Sequence, residues 1–328
     1  MKATPRVFVY CPYGNATGGT ELLHQLVHKV GELGIQSAII YWPKRNNAVP
    51  HEAFEAYNVR IATPDDVGVE DVVVLPEIFT RIRSRVNTRR VYCWWLSVDN
   101  YYFAKDLGRG RINRFLLNRL HSQRYLFFEN SLREIEGHLC QSMYAEAHLR
   151  LKGISNVRFL GDYINKSFFK EEIDLIGRRN VVAYNPKKGA SFTRKVIESN
   201  PDINFVPIIN MAREEVINLL NSSKVYLDLG YHPGMDRIPR EAASLGCIIL
   251  TNTMGSAAND FDVPVGFNYK FPLEAGFENL VGQKIRSIFS NYEAAFADLE
   301  RYRHMISLQE SRFEEDVKAF LRQIGCRY

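Results

Sequence analysis

Two tandem α/β domains, each a doubly wound parallel sheet covered by helices, are what this sequence predicts, and three observations carry the prediction. The chain has 328 residues, which suits two domains of roughly 150 residues better than one oversized core. Strand-like apolar runs alternate with helical patterns in both halves, the signature of βαβ units. Midway, Asp162 to Phe169 forms a polar, loop-rich stretch that breaks the alternation. The expected division is 1–166 and 167–308, with a C-terminal helix over 309–328.

The elements follow in order. Val7 to Cys11 is a β-branched and aromatic run that ends in Pro12, Gly14, Gly18 and Gly19, and Leu22, Leu23, Leu26, Val27 and Val30 then recur at helical spacing. A second strand over Ile35 to Trp42 completes a βαβ opening, which favours parallel pairing. Val72 to Leu75, Arg90 to Leu96 and Tyr125 to Glu129 read as further strands. A helix through CQSMYAEAHL and a strand over Val157 to Leu160 lead to the hinge. Beyond it the alternation restarts: strand Val181 to Tyr184, loop Asn185 to Gly189, helix Phe192 to Ile197 and strand Phe205 to Ile209. Helix Arg213 to Leu220, strand Val225 to Leu229, a helix near Pro239 to Leu245 and strand Cys247 to Thr251 follow. Leu280 to Phe289, Tyr292 to Arg301 and Ser311 to Ile324 are amphipathic and read as helices.

Composition narrows the class. Apolar residues are 46% and charged residues 24% of the chain, the balance of a globular protein rather than a disordered one. Cys11, Cys93, Cys140, Cys247 and Cys326 lack CxxC spacing, so neither a disulfide framework nor a zinc site is expected. No run approaches the roughly 20 apolar residues of a membrane helix. The N-terminal apolar run is short and strand-like, and a cytoplasmic address is the expectation. The net charge is +5, concentrated in five arginines between Arg81 and Arg90 and six basic residues from Lys105 to Arg124. Interleaved with Tyr101, Tyr102, Phe103, Phe115 and Tyr125, this band suits peripheral contact with an anionic membrane. Nucleic acid is not the expected partner, although a non-catalytic nucleic-acid or membrane-surface protein is the alternative from another functional class.

Three motifs carry chemistry. GNATGGTE, from Gly14 to Glu21, lies between a strand and a helix, where glycine permits close approach of a ligand and a helix N-terminus offers N–H groups. YNPKKG, Tyr184 to Gly189, follows the first strand of the second half and brings Asn185, Lys187 and Lys188 to its end. VYLDLGYHPGMDRIPREAASLGCIILTNTMGS runs from Val225 to Ser256 through a strand, a glycine loop, a helix with Glu241 and Ala242, then Gly246 and a buried strand. On these segments the chain resembles the family 4 glycosyltransferases, retaining enzymes of the GT-B fold that use nucleotide sugars.

The resemblance implies two Rossmann-like domains facing a central cleft, with the C-terminal helix packing back on the first. It implies a nucleoside-diphosphate sugar held as donor substrate by the second domain, with no cofactor and no metal. A glycan or lipid-linked hydroxyl acceptor, as in surface polysaccharide synthesis, would sit on the first. Glu241 then bonds the ribose hydroxyls, and Lys187 or Lys188 neutralises the diphosphate with help from Arg237 and the amides near Gly255 and Ser256. Gly18 and Gly19 match the family's paired glycines. Pro233 stands where the family carries an acidic residue eight positions before the glutamate, and His232 and Asp236 flank that gap. Asp99, within WWLSVDN at the end of an expected strand, is the candidate catalytic residue on the acceptor side, with Glu241 on the donor side. A nucleotide-sugar epimerase of the same architecture is the enzymatic alternative, and it would need only the donor.

Other patterns read as structural. His24 and His28 lack an HExxH context, Asp260 and Asp262 form a DxD string read as loop structure, and Trp94 and Trp95 read as core.

Overall fold

The computed structural model describes residues 4–14, 16–44, 48–106 and 128–327. Contacts within the chain divide it into two units, Met1–Asp162 with Ser311–Tyr328, and Tyr163–Glu310.

In the first unit, strand β1 (Val7–Pro12) leads to helix α1 (Gly18–Glu32), β2 (Ser37–Trp42), β3 (Ile61–Ala62), β4 (Val72–Pro76), β5 (Val91–Trp95) and α2 (Val98–Asp106). Then come β6 (Gly137–Cys140), α3 (Met143–Leu151) and β7 (Val157–Phe159). These strands form one parallel sheet in the order β3-β2-β1-β4-β5-β6-β7. The chain steps outward from β1 on one side, then returns to place β4 on the other, so the order reverses between β1 and β4. Val7, Val9, Val72 and Val74 are completely buried, as central strands covered on both faces require. The C-terminal helix belongs here as well: the Tyr92 ring meets Phe320 edge-on at 5.2 Å, and Gly161 N–H donates to Asp316 at 3.0 Å.

One strand differs from expectation. Phe128 and Glu129 belong to no strand, residues 125–127 lie outside the described residues, and the partner of β5 is β6. GHLC escapes a propensity reading because it is short and opens on glycine. That glycine is required by packing, since a Cβ at Gly137 would lie 2.6 Å from the Tyr92 ring. His138 also accepts the Trp95 indole N–H at 2.9 Å, so the polar residue is satisfied inside the core.

The second unit repeats the plan with β8 (Arg179–Tyr184), α4 (Ala190–Ser199), β9 (Asn204–Pro207), α5 (Arg213–Ser222), β10 (Ser223–Asp228), α6 (Arg237–Ser244), β11 (Ile248–Asn252) and β12 (Lys270–Phe271). Helices α7 (Phe277–Ser290), α8 (Tyr292–Asp298) and α9 (Glu300–Ser307) follow, and α10 (Gln309–Gln323) carries the chain back to the first unit. The single helix expected over Tyr292 to Arg301 is thus two, parted at the buried Leu299. The sheet is parallel in the order β12-β11-β10-β8-β9, with the reversal between β8 and β10.

All five cysteines are buried and free. Among the described residues no helix is long and apolar enough to cross a membrane.

Candidate functional site

In open α/β sheets the crevice outside the carboxyl ends of the strands, where strand order reverses, is where ligands sit. In the second unit that point lies between β8 and β10, and the loops leaving these strands are 185–189 and 229–236. They touch backbone to backbone. Gly189 has φ +58°, and a Cβ there would collide with the Leu229 carbonyl and lie 2.6 Å from Gly230 N. Only glycine meets both demands.

This contact delivers the preceding side chain, Lys188, into a compact ionic group. Its Nζ lies 2.5 Å from Asp236 Oδ2 and 3.7 Å from Asp228 Oδ2. Asp228 ends β10 and is buried, and its Oδ1 accepts the Gly230 N–H at 3.0 Å. His232, also buried, directs Nδ1 at Asp236 Oδ2 at 3.0 Å and Nε2 at the Thr251 hydroxyl at 2.8 Å. One ligating atom from each of Asp228, His232 and Asp236 lies within 4.8 Å of the others, and the positive charge set among them is the Lys188 ammonium. Burial opposes the charges of Lys188, His232 and Asp236, but their partners prevail. Asp236 and Asp228 hold Lys188 above the usual lysine range and raise His232. His232 and Lys188 hold the Asp236 carboxyl below its usual range.

The group is braced from outside. The buried Arg240 guanidinium donates to the carbonyls of Met235 at 2.8 Å and Asp236 at 3.1 Å, and to Gln309 Oε1 at 2.8 Å. Ser256 donates its N–H to His232 O at 2.8 Å and its hydroxyl to Gly234 O at 2.6 Å. Asn252 donates to Gly230 O at 2.6 Å. Gly255, at φ +59°, allows this approach, because a Cβ there would strike the His232 carbonyl.

The structure places the sequence candidates as follows. Lys188, His232 and Asp236 converge. Lys187 does not join them: it is exposed, and its N–H donates to Asn185 Oδ1 at 3.0 Å in a local turn. The Ser256 amide expected to meet phosphate is instead bonded to the 229–236 loop. Asp236 stands at the N-cap position of α6, yet its side chain makes no cap bond and turns to Lys188 and His232 instead. Arg237 opens α6 and Glu241 lies one turn along it, both half-buried.

In the first unit the order reverses between β1 and β4. Gly18 and Gly19 are the first two residues of α1 rather than a loop, because Thr17 caps the helix ahead of them through a reciprocal pair with Thr20. Among the described residues, a Cβ on Gly19 would meet Leu96 Cδ1 alone, at an ordinary 3.7 Å, and no packing among them demands glycine there. Asp99 lies not at a strand end but in the first turn of α2, and is 7% exposed. The same unit holds a buried carboxyl that sequence reading missed. Glu77 follows β4, is buried, and accepts the Leu96 N–H at 3.1 Å; burial pushes its pKa up to about 8 against the pull of backbone amides.

Asp228, Thr251 and Arg240 were missed too. A carboxylate closing the apolar run Val225 to Leu227 was the available signal for Asp228. The basic band is divided. Arg83 donates to Ser131 O at 3.0 Å and Arg90 to Ile324 O at 2.8 Å, while Arg85 and Arg89 are exposed. Tyr101 and Tyr102 are buried in the core, which removes them from any surface platform. Phe115, Tyr125 and the basic residues from Arg109 to Arg124 lie outside the described residues. His24 bonds Thr20 O at 2.7 Å and Tyr41 Oη at 2.8 Å. Asp260 pairs with Lys270 at 2.7 Å, and Asp262 accepts from Asn259 at 2.9 Å, so the DxD string is loop structure. Both tryptophans are fully buried.

No protein-family profile matches the chain, and no curated protein matches it. Solved structures do. Sucrose-phosphate synthase from Thermosynechococcus elongatus superposes with a TM-score of 0.70 at 13% identity, covering 98% of this chain and 99% of its own. Anabaena HepE in complex with UDP gives 0.64 at 10% identity over 97% of this chain and 100% of its own. WaaG, a glycosyltransferase involved in lipopolysaccharide biosynthesis, gives 0.61 at 13% identity over 98% and 100%. The fold of the chain is therefore the GT-B type, two Rossmann-like units in one polypeptide.

Proposed function

We propose that the chain is a glycosyltransferase whose second unit holds a nucleoside-diphosphate sugar at the β8/β10 reversal and passes the sugar to a hydroxyl acceptor. The observation that carries this reading is the delivery of Lys188, by the Gly189 contact, to the carboxyl end of the central strands beside the N-terminus of α6. An ammonium and a helix N-terminus together suit a diphosphate. As the bond between the anomeric carbon and the phosphate oxygen breaks, negative charge grows on the leaving diphosphate. A fixed positive group stabilises that charge without solvent reorganisation. Charge neutralisation by side chains gives the reaction a route without a divalent ion. Glu241, one turn into α6, is the proposed partner of the ribose hydroxyls, since an ionised carboxylate accepts two O–H bonds. Asp99 is the proposed acceptor-side residue, with Gly18 and Gly19 near the acceptor. The similarity to HepE with UDP and to WaaG supports a nucleotide-sugar donor and a glycan or lipid-linked acceptor. On this reading the enzyme works in the cytoplasm, and the exposed Arg85 and Arg89, within the Arg81 to Arg124 band, meet anionic lipid.

The test is a panel of UDP-, GDP-, ADP- and dTDP-sugars, with and without a mixed glycan and glycolipid acceptor fraction, followed by release of the nucleoside diphosphate. Release from one donor class that rises with acceptor is the expected result. Interconversion of the donor without acceptor supports an epimerase instead, and no turnover or binding of any member overturns the proposal.

A further inference from the structure

The Lys188 ammonium is already engaged by a carboxylate of the same chain, and the manner of engagement is unusual. Asp236 Oδ2 takes both the Lys188 Nζ, at 2.5 Å, and the His232 Nδ1, at 3.0 Å. Asp228 and His232 side chains are each 2% exposed, whereas Asp236 is 23% and Lys188 27% exposed. The buried pair is therefore fixed and the outer pair faces solvent, where an incoming anion arrives. Asp236 also sits at the N-cap of α6 without capping it. A carboxylate held by an ammonium and an imidazole at a helix N-terminus occupies the surroundings that suit a phosphate group.

We infer that Asp236 is a tethered stand-in for the donor diphosphate, which must displace it from Lys188 in order to bind. The inference rests on the nucleotide-sugar reading above and deepens it. The chain gives the displaced carboxylate somewhere to go. Helical positions after the cap are Arg237, Ile238 and Pro239; Pro239 has no N–H, so the one partner within ordinary N-cap reach is the Ile238 N–H. Rotation from Lys188 to that amide exchanges an ion pair for a cap and frees the ammonium. Asp228, too buried to leave, keeps Lys188 near the site throughout. Asp236 thereby sets a threshold: a monoanion competes poorly against it, and a diphosphate competes well.

The test is calorimetric titration of UDP, GDP, ADP and dTDP, and separately of inorganic pyrophosphate, into the full chain and its Asp236→Asn and Asp236→Ala variants, with melting temperatures recorded to show that each variant is folded. Removing the internal competitor tightens binding of the cognate nucleotide and of pyrophosphate by about fivefold or more, the scale of one partly exposed ion pair. In a Lys188→Met background the same Asp236 substitutions give no gain. Unchanged or weaker binding by both folded Asp236 variants overturns the inference while leaving the donor site standing. If neither the native chain nor the variants bind any of the diphosphates, the donor-site reading and the inference fail together. Binding seen only in the variants supports both.

Discussion

Gly189→Ala tests the backbone contact that builds the site. At φ +58° an L-residue carries a left-handed penalty of about 1–2 kcal/mol. Its Cβ would also press on the Leu229 carbonyl and lie 2.6 Å from Gly230 N, and these are backbone atoms that cannot rotate aside. Relieving such overlap costs about 1–3 kcal/mol more, so the total is about 2–5 kcal/mol. Gly276→Ala is the matched control. Its φ is +86°, but no atom of the described residues lies within 4 Å of the added carbon, so only the conformational share of about 1–2 kcal/mol remains. Urea titration followed by circular dichroism gives the two stabilities, and calorimetry with the cognate nucleotide gives the functional effect. Gly189→Ala should lose more stability than the control and weaken nucleotide binding at least tenfold, because separating the loops moves Lys188 away from the N-terminus of α6, the other half of the proposed diphosphate site. A Gly189→Ala protein no less stable than Gly276→Ala, with native nucleotide affinity, refutes the reasoning.

Two further outcomes follow from the same geometry. Glu77 has its pKa raised by burial from the ordinary 4.5 to about 8, so the unfolded chain loses this proton near pH 4.5 while the folded chain keeps it. Its contribution is complete below the unfolded value and declines as pH rises to about 8, at up to ~1.4 kcal/mol per pH unit. Urea midpoints at pH 5, 6.5 and 8 should therefore fall less steeply for Glu77→Gln than for the native chain, and parallel slopes contradict the raised value. Ser256→Ala removes the hydroxyl bond to Gly234 O, 2.6 Å long and fully buried, and leaves that carbonyl without this donor. A loss of about 1–3 kcal/mol is expected in the same denaturation assay, and no loss means the bond does not hold the loop.

What the sequence revealed, and what it hid, divides along physical lines. Strands such as Val7–Pro12 and Val72–Pro76 are central and buried on both faces, so their apolar runs announce them. Gly137–Cys140 is equally buried, but its glycine and histidine answer to the Tyr92 and Trp95 side chains, contacts made across strands and invisible to local pattern. The site shows the same contrast. His232, Asp236 and Glu241 share one loop and helix, and Lys188 stands beside a glycine at a strand end, so short-range motifs nominate them. The choice between Lys187 and Lys188 was beyond such reading, since it depends on the packing of Gly189 against Gly230. Asp228 and Thr251 enter through neighbouring strands, and Arg240 through carbonyls of its own loop and Gln309, none of which a linear motif records. Asp236 stands at an N-cap position, yet a charged partner 48 positions away in sequence claims its carboxylate. Gly18 and Gly19 looked like a loop, but Thr17 and Thr20 start the helix one residue ahead of them.

Hydrogen exchange with and without the cognate nucleotide sugar, read by mass spectrometry, locates the ligand most directly. Slowed exchange should concentrate in 185–191, 229–242 and 253–258, with the protection of 185–191 and 229–242 lost in Lys188→Met. Protection confined to other segments, or the same protection in the variant, contradicts a donor site built on Lys188.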